Sequence, residues 1–288
     1  LLVTSTEKIK NYFSISGFFA SFFMIGVATS TPEIFISIES ALQNKTILAL
    51  GNGIGSNISN IALVFCISIL FIKKNANSLS IPLKPFISMI FITIALFFLI
   101  VFDNYFDMYD SIILIIILLI SFYYFISPDN KNIQEKKNNK SLLAIFSFSA
   151  LGLLMLIYGS DLFINGASDI ALMFGVSSYV IGLTLTALGT SLPELTANIQ
   201  SARKGYHDFI IGNIIGSNIF NIAVALALAG LINGTNVNIS HFIRDISIFL
   251  VSILIFYKIV NTNNNLIRTV YSIALVITYI LYVVYLLK

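Results

Sequence analysis

Two glutamates lie in hydrophobic sequence within one short motif that the chain contains twice. Residues 28–33 read Ala-Thr-Ser-Thr-Pro-Glu, and residues 189–194 read Gly-Thr-Ser-Leu-Pro-Glu. Neither motif contains a Lys, Arg or His that could neutralise Glu33 or Glu194. Ionised side chains at membrane depth are costly, so they are rare and mark ion or proton pathways. The two carboxylates therefore need a cation or protons to balance their charge.

The other polar residues of the motifs supply oxygen atoms. Thr29 and Thr190 each precede a glutamate by four positions, so a regular turn places each pair on one helix face. Ca²⁺ takes about 6–8 oxygen ligands at about 2.3–2.6 Å. Transition metals favour Cys or His, and neither motif contains one. These residue types predict a site for a hard cation.

A second repeated stretch begins 18 residues after each glutamate and reads Gly-Asn-x-Ile-Gly-Ser-Asn-Ile-x-Asn, at residues 51–60 and 212–221. Its polar residues recur every fourth position, which places them in a stripe along one helix face. The stripe consists of Asn52, Ser56 and Asn60 in the first copy and of Asn213, Ser217 and Asn221 in the second.

Glycines run beside each polar stripe, at Gly51 and Gly55 and again at Gly212 and Gly216. A G-x-x-x-G spacing lets two membrane helices approach closely, so helix packing alone would explain it. We expect both roles together, with the glycines bringing the stripe within reach of the glutamates.

Each motif contains a proline next to its glutamate, Pro32 or Pro193. Proline removes one intrahelical hydrogen bond, and its ring clashes with the carbonyl four residues earlier. At membrane depth such broken backbone is tolerated only where it faces protein or a polar cavity. The prolines therefore predict helix breaks that free carbonyl groups around residues 26–29 and 187–190.

Composition places these motifs in a membrane. The 288 residues are 57% hydrophobic and 10% charged, with a mean hydropathy of +0.94, whereas soluble domains average about 25% charged residues. Most of the chain falls into apolar runs long enough to cross a hydrocarbon core of about 30 Å as helices. The sequence thus predicts an all-α polytopic membrane protein, and its net charge of +3 gives no indication of nucleic-acid binding.

The apolar runs define nine expected spans and one linker. The most polar segment, residues 127–140, separates a first membrane repeat (1–126) from a second (141–288). The motif regions are 26–61 and 187–222. The spans are expected at about 16–43, 46–72, 86–102, 110–126, 141–172, 177–202, 209–232, 240–260 and 265–287.

The two copies of the motifs align at a constant offset of 161 positions. A complete repeat has five spans, and because five is odd the second copy runs through the membrane inverted. This predicts two inverted-topology repeats, an architecture typical of secondary transporters. The counterpart of span 141–172 would lie almost wholly before residue 1, so we expect most of the first helix to be missing. A genuinely asymmetric protein of nine spans is the alternative.

The Lys and Arg residues are distributed unevenly between the two sides. With alternating loops, thirteen lie on the side of residues 127–140 and three on the other. By the positive-inside rule this predicts a cytoplasmic linker in a protein of the cell inner membrane.

The paired motifs resemble the α-repeats of the sodium/calcium exchanger family, in the cation/Ca²⁺ antiporter superfamily, and most closely its small prokaryotic members. The resemblance implies ten transmembrane helices and a central Ca²⁺ site with adjoining Na⁺ sites. Ala28 departs from the glycine usual at that position, and Thr31 replaces the usual Leu, so the first motif is the less typical one.

The resemblance also implies roles for individual residues. Glu33 and Glu194 match the Ca²⁺-coordinating glutamates. Asn221 occupies a position where some exchangers have Asp; an Asp there resembles the potassium-dependent branch, so Asn221 argues against K⁺ co-transport. The remaining ion-binding positions are Thr29 and Thr190 as carbonyl and hydroxyl ligands, Ser30, Ser191, Ser56 and Ser217 at Na⁺ sites, and Asn60 at the centre of the first repeat.

The function implied is exchange of Ca²⁺ for Na⁺ by alternating access, without covalent chemistry or a resident cofactor. Ca²⁺ and Na⁺ are the expected substrates, the lipid bilayer is the expected surrounding, and no protein partner is implied. Three alternatives stay open: Ca²⁺/H⁺ or other cation/proton antiport, a cation channel, and an intramembrane enzyme such as a metalloprotease. The last is disfavoured because the chain has no H-E-x-x-H motif. Ser37 and Ser40 are interpreted as ordinary membrane-helix serines.

Overall fold

The computed structural model describes residues 1–72, 79–126, 142–173 and 187–286. Most of this described part is helical. Five of its helices are long and apolar enough to cross a membrane, and one bent pair of helices could form a sixth span. The five are Thr46–Leu70, Leu83–Asp103, Met108–Phe125, His207–Ile232 and Asn265–Leu286, and the bent pair is Gly17–Thr29 with Thr31–Leu42.

The first half of the chain contains six described helices and one short strand. In order they are α1 (Leu2–Phe13), α2 (Gly17–Thr29), α3 (Thr31–Leu42), α4 (Thr46–Leu70), α5 (Leu83–Asp103), β1 (Tyr105–Phe106) and α6 (Met108–Ile126).

The second half has a similar series of elements. They are α7 (Leu142–Met173), α8 (Ala187–Thr190), α9 (Leu192–Lys204), α10 (His207–Ile232), β2 (Thr235–Asn236), α11 (Ile239–Asn261) and α12 (Asn265–Leu286). The two strands pair antiparallel, with Tyr105 opposite Asn236, and so join the two halves at one end of the helices.

The predicted spans coincide with helices where the chain is described, but α7 and α11 are not among the five described helices that are long and apolar enough to cross a membrane. The expected run 16–43 is a pair of helices bent by 42°. The expected span 177–202 is described only from residue 187, and the expected linker 127–140 lies outside the described residues. At the start of the chain, α1 packs against α7, where a Cβ at Gly152 would lie 2.8 Å from the backbone nitrogen of Leu2.

Helices α4 and α10, which contain the two polar stripes, form the centre of the molecule. Of their apolar stretches, 78% and 83% of the residues are buried inside the protein, compared with 17% for α12. A helix that hides nearly all of its surface while containing many polar groups is not a lipid-facing anchor. The stripes therefore lie where they can contact each other and the motifs.

Both central helices widen by one π-helical turn, at Asn60–Phe65 in α4 and Asn221–Leu226 in α10. These turns are 161 positions apart, so the sequence repeat is also a repeat of an uncommon backbone geometry. A third π-helical turn occupies Phe22–Gly26, directly before the first motif. Such turns are rare inside α-helices and occur frequently at functional sites.

Candidate cation site

The helix breaks predicted from the prolines are present in both motifs. Ser30 has φ −81° and ψ 2°, and Ser191 has φ −86° and ψ 0°, so each leaves the helical conformation and separates two short helices. Pro32 and Pro193 then lie in the first turn of the following helix, where a missing backbone N–H does no harm.

Each break places a glutamate in the first turn of a new helix, Glu33 in α3 and Glu194 in α9. Both side chains are fully buried. The carboxylates are close enough to repel each other electrostatically. The positive end of a helix dipole favours an anion in the first turn, but its partial charge does not neutralise a buried carboxylate.

One half of the site, here named the Glu33 half, consists of Glu33, Ser56 and Thr190. Ser56 of α4 and Thr190 of the second motif both lie beside the Glu33 carboxylate. This half therefore combines two side chains from the first repeat with one from the second.

The other half, named the Glu194 half, consists of Glu194, Ser217 and Thr29. Ser217 of α10 and Thr29 of the first motif lie beside the Glu194 carboxylate. The residue types and the exchange of a threonine between repeats are the same as in the Glu33 half. The site thus has the two-fold arrangement that the sequence repeat predicts, and neither repeat is complete without the other.

Several buried oxygens of the site have no hydrogen-bond partner among the described residues. They include both carboxylate oxygens of Glu33 and of Glu194. Leaving a buried polar atom unpaired costs about 1–3 kcal/mol, and more when it is charged. Such atoms are expected to concentrate where a protein binds an ion or a water molecule. The others in the predicted set are the hydroxyls of Ser30, Ser56 and Ser191, the amide of Asn60 and the amide oxygen of Asn221.

The donor set consists of oxygens. No group of three or more His, Cys, Asp or Glu residues that could hold a metal ion occurs in the described ranges. The one ion pair recorded there joins Arg244 to Asp245, so it involves neither glutamate. Two carboxylates with hydroxyl and amide oxygens suit Na⁺ or Ca²⁺ better than a transition metal.

The Glu194 half contains a connected set of hydrogen bonds. The Thr29 hydroxyl lies 3.0 Å from the carbonyl oxygen of Ile25 and 3.2 Å from Oδ1 of Asn213, and its single hydrogen serves both acceptors. The Ser217 hydroxyl also reaches Asn213 Oδ1, at 3.4 Å. Asn213 in turn donates from Nδ2 to Oδ1 of Asn198 at 2.9 Å.

The two repeats are also bonded across the centre of the molecule. Asn57 donates from Nδ2 to the backbone oxygen of Asn218 at 3.1 Å, and it accepts at Oδ1 from Nδ2 of Asn221, also at 3.1 Å. These bonds tie α4 to α10 next to the points where their π-helical turns begin.

The close helix approach predicted from the glycines is confirmed in the second repeat. A Cβ at Gly212 would lie 2.5 Å from the backbone oxygen of Phe18, and one at Gly216 would lie 2.9 Å from that of Phe22. Only a bare Cα lets α10 lie this close to α2, and that contact brings the polar stripe of α10 to Thr29. For Gly51 and Gly55 the same expectation stays a prediction, because their counterpart of α2 begins outside the described residues.

Comparison with known proteins agrees with this geometry. The family described as "Sodium/calcium exchanger protein" matches residues 1–127 and 144–288. The chain belongs to the sodium/calcium exchanger family. Because its members are transporters, the alternative of an intramembrane enzyme is excluded, and exchange of cations that include Ca²⁺ follows from the family.

Two relatives illustrate the similarity at the level of sequence. The uncharacterized membrane protein MJ0091 of Methanocaldococcus jannaschii is 32% identical over 235 residues, which cover 80% of this chain and 75% of the relative. The sodium/calcium exchanger MaX1 of Methanosarcina acetivorans is 42% identical over 112 residues, which cover 39% of this chain and 32% of MaX1.

A solved structure matches nearly the whole exchanger. The sodium-calcium exchanger NCX_Mj, soaked with 10 mM Na⁺ and zero Ca²⁺, superimposes with a TM-score of 0.81 at 26% identity. The match covers 98% of this chain and 92% of NCX_Mj. It confirms the predicted polytopic helical fold.

Two residues of the exchanger's site were not singled out from the sequence. Asn198 holds Asn213, and Asn57 bonds both Asn218 and Asn221. Asn57 was visible as a repeated residue, but which carbonyl it reaches depends on the crossing of α4 and α10. Asn198 could have been found from its position four residues after Glu194, on the same helix face.

Proposed function

We propose that this exchanger is a secondary transporter that exchanges Ca²⁺ for Na⁺ by alternating access. The observation that carries the proposal is the pair Glu33 and Glu194. Two repeats bring these buried carboxylates together, and none of their oxygens has a partner in the described part of the chain.

The charge of the site explains why transport should be an exchange. An empty site would expose the membrane interior to two unneutralised carboxylates, which makes reorientation of the ion-free protein costly. One Ca²⁺, or monovalent cations in its place, removes most of that cost. The loaded protein can then change its access from one side of the membrane to the other, whereas the empty protein cannot.

The proposed ligands are the residues around the glutamates. Glu33 and Glu194 hold Ca²⁺, with oxygens of Thr29 and Thr190 beside them. Na⁺ carries less charge than Ca²⁺, so it suits positions beside the glutamates where fewer and mostly uncharged oxygens are available. The Na⁺ ligands proposed are Ser30, Ser56, Ser191 and Ser217, with Asn60 and Asn221 at the centre.

Na⁺ is preferred over H⁺ as the coupling ion because of the donor set. Hydroxyl and amide oxygens bordering the carboxylates serve a metal cation, whereas proton exchange needs only the carboxylates. MaX1 and NCX_Mj are both named as sodium/calcium exchangers, which supports the same choice. Ca²⁺/H⁺ exchange is the alternative, and the following experiment distinguishes it from Ca²⁺/Na⁺ exchange.

The test is Ca²⁺ uptake into vesicles that contain the purified protein. At clamped pH, an outward Na⁺ gradient should drive uptake of radioactive Ca²⁺, and the initial rate should saturate with external Ca²⁺. If uptake follows only a pH gradient, the coupling ion is H⁺ and the proposed coupling to Na⁺ is wrong. A rate that rises without saturation would indicate a channel.

We also propose that residues 127–140 lie in the cytoplasm and that the protein resides in the cell inner membrane. Thirteen Lys and Arg residues on that side support this orientation. A cysteine introduced at position 135, with Cys66 replaced by Ser, should resist a membrane-impermeant thiol reagent added to intact cells. Rapid labelling would reverse the orientation.

A further inference from the structure

The Asn213 amide lies between two hydroxyls of the Glu194 half and one further amide. Its oxygen is within 3.2 Å of the Thr29 hydroxyl and 3.4 Å of the Ser217 hydroxyl. A hydroxyl can offer a lone pair to a cation only when its hydrogen points away from that cation. Asn213 Oδ1 shares these hydrogens with two backbone acceptors, the Ile25 oxygen for Thr29 and the Gly26 oxygen for Ser217. With all these acceptors on the same side, both hydroxyl oxygens keep a lone pair for a cation at Glu194.

This arrangement requires one orientation of the Asn213 amide. If the amide turned over, its NH₂ group would face the two hydroxyls and donate to their oxygens, which would take up lone pairs that a cation needs. Only the carbonyl oxygens of Ile25 and Gly26 would then still accept the two hydroxyl hydrogens. Asn198 Oδ1 accepts a 2.9 Å hydrogen bond from Asn213 Nδ2 and so selects the first orientation. Asn198 is fully buried on α9, four residues after Glu194.

The equivalent position in the other repeat holds a different residue. Ser37 lies 161 positions before Asn198 and four residues after Glu33, and the counterpart of Asn213 is Asn52. The Ser37 hydroxyl and the Asn52 NH₂ group are both buried, and neither has a partner in the described ranges. A serine side chain is too short to repeat the contact that Asn198 makes. The orientation of Asn52 is therefore not selected in this way.

We propose that Asn198 is a positioning residue that fixes the Asn213 amide, so that the hydroxyl oxygens of Thr29 and Ser217 face a cation bound at Glu194. The Glu194 half is then preorganised for its ion, whereas Asn52, the sequence counterpart of Asn213, lacks an asparagine that would hold its NH₂ group. Preorganisation raises affinity because less ordering remains to be done on binding. This inference rests on the function proposed above and extends it to a residue outside the ligand set.

The test compares Asn198→Ser, which installs the residue of the other repeat, with Ser201→Ala. Ser201 is buried on the same helix, and its hydroxyl donates within that helix to the Ala197 oxygen. Ca²⁺ and Na⁺ binding to the purified full chain would each be titrated by calorimetry. Asn198→Ser should weaken Ca²⁺ binding roughly tenfold, the cost of an unpaired buried amide, and should raise the KM of exchange while kcat changes little. Ser201→Ala should bind both ions as the unchanged protein does.

A reciprocal variant keeps the proposal falsifiable if Asn198→Ser does not fold. Ser37→Asn gives Asn52 a partner and should tighten Ca²⁺ binding. If Asn198→Ser does not fold and Ser37→Asn binds Ca²⁺ with unchanged affinity, the proposal is overturned. So would an Asn198→Ser protein that has a lower melting temperature but unaltered affinity for both ions, because that result assigns Asn198 a merely structural role.

The two proposals fail in distinguishable ways. If the unchanged protein binds Ca²⁺ but shows no Na⁺-driven uptake, the Na⁺ coupling is wrong, and the effect of Asn198→Ser on Ca²⁺ binding still tests the positioning role. If Na⁺-driven uptake is present and Asn198→Ser leaves both affinities and KM unchanged, only the positioning role is wrong.

Discussion

The two halves of the candidate cation site contain the same residue types but differ in how these are held. Each half has a glutamate in the first turn after a helix break, a serine from a central helix and a threonine from the opposite motif. In the Glu194 half, Asn213 and Asn198 connect the hydroxyls through hydrogen bonds. In the Glu33 half, the hydroxyl of Ser56 has no partner in the described part of the chain, and neither has the NH₂ group of Asn52, the sequence counterpart of Asn213.

This difference teaches that a duplicated site need not be equally rigid on both sides. A carrier must bind its ion and also release it, so a site in which every polar group is already satisfied would gain little from the ion. Conversely, each unpaired buried group costs about 1–3 kcal/mol, which limits how many the fold tolerates. Under the proposed role of Asn198, holding one amide in place while its counterpart is not held in that way would meet both requirements.

The largest effect is expected from removing a charge, and it should be the same in both halves. Glu33→Gln and Glu194→Gln should each reduce Na⁺-driven Ca²⁺ uptake to background, because a neutral amide cannot balance a divalent cation. Each variant should also raise the melting temperature of the ion-free protein, since one of two mutually repelling buried charges is gone. Uptake and thermal unfolding of the purified variants would measure the two effects.

Glu39→Gln is the matched control, because Glu39 lies on α3 with Glu33 but is exposed. Its uptake should equal that of the unchanged protein. Wild-type exchange in Glu194→Gln would refute the central role of the carboxylates. A fall in melting temperature would refute the account of their repulsion.

Much of this site could be predicted from the sequence because its polar residues occur twice at the same spacing, which a merely hydrophobic composition would not produce. Serines and asparagines are common in membrane helices. Helix packing alone does not explain why the same serines and asparagines follow both Glu33 and Glu194 at a constant offset between the repeats. Pro32 and Pro193 predicted the helix breaks for a local reason, the missing backbone N–H. These inferences needed no knowledge of which helices touch.

The remaining features depend on how the helices cross. The π-helical turns that begin at Asn60 and Asn221 have no signature in composition. The role of Asn198 was hidden because its counterpart is Ser37, so a search for identical repeated residues passes over both positions. Where the repeats differ in residue type, only the contacts show what the difference does.

The next largest effect is expected where α2 meets α10. A Cβ at Gly212 would lie 2.5 Å from the Phe18 backbone oxygen, which cannot move without displacing α2, so Gly212→Ala should destabilise the protein by about 1–3 kcal/mol. Gly53→Ala in α4 is the comparison, because its Cβ would meet the Leu226 side chain, with Cδ2 at 2.6 Å and Cγ at 2.8 Å, in place of backbone. A side chain can shift more easily than a helix backbone, so this substitution should cost less than Gly212→Ala.

Thermal unfolding of both glycine variants in one detergent measures this difference. Both substitutions change the intrinsic helix propensity by the same amount, so the difference between them reports the contact alone. Equal melting temperatures would mean that α2 can shift freely against α10. In that case the close approach would not be what brings Asn213 and Ser217 to Thr29.

The smallest effect compares the two serines directly. Ser217 donates weakly to Asn213 Oδ1 and to the Gly26 carbonyl oxygen, whereas the Ser56 hydroxyl has no partner among the described residues. Ser217→Ala should therefore lower the stability of the ion-free protein by about 0.5–1.5 kcal/mol. Ser56→Ala should leave it unchanged or raise it slightly, because an unsatisfied buried group disappears.

The same two variants should behave alike once an ion is present. Each removes one oxygen from an equivalent position beside a glutamate, so each should weaken Na⁺ binding several-fold in a titration of the purified protein. Unequal ion-free stabilities with equal losses of affinity would show that the halves differ in how they are held and not in what they bind. If only Ser217→Ala loses affinity, the Glu33 half does not hold Na⁺ through Ser56, and the ion site is asymmetric in its ligands as well as in its rigidity.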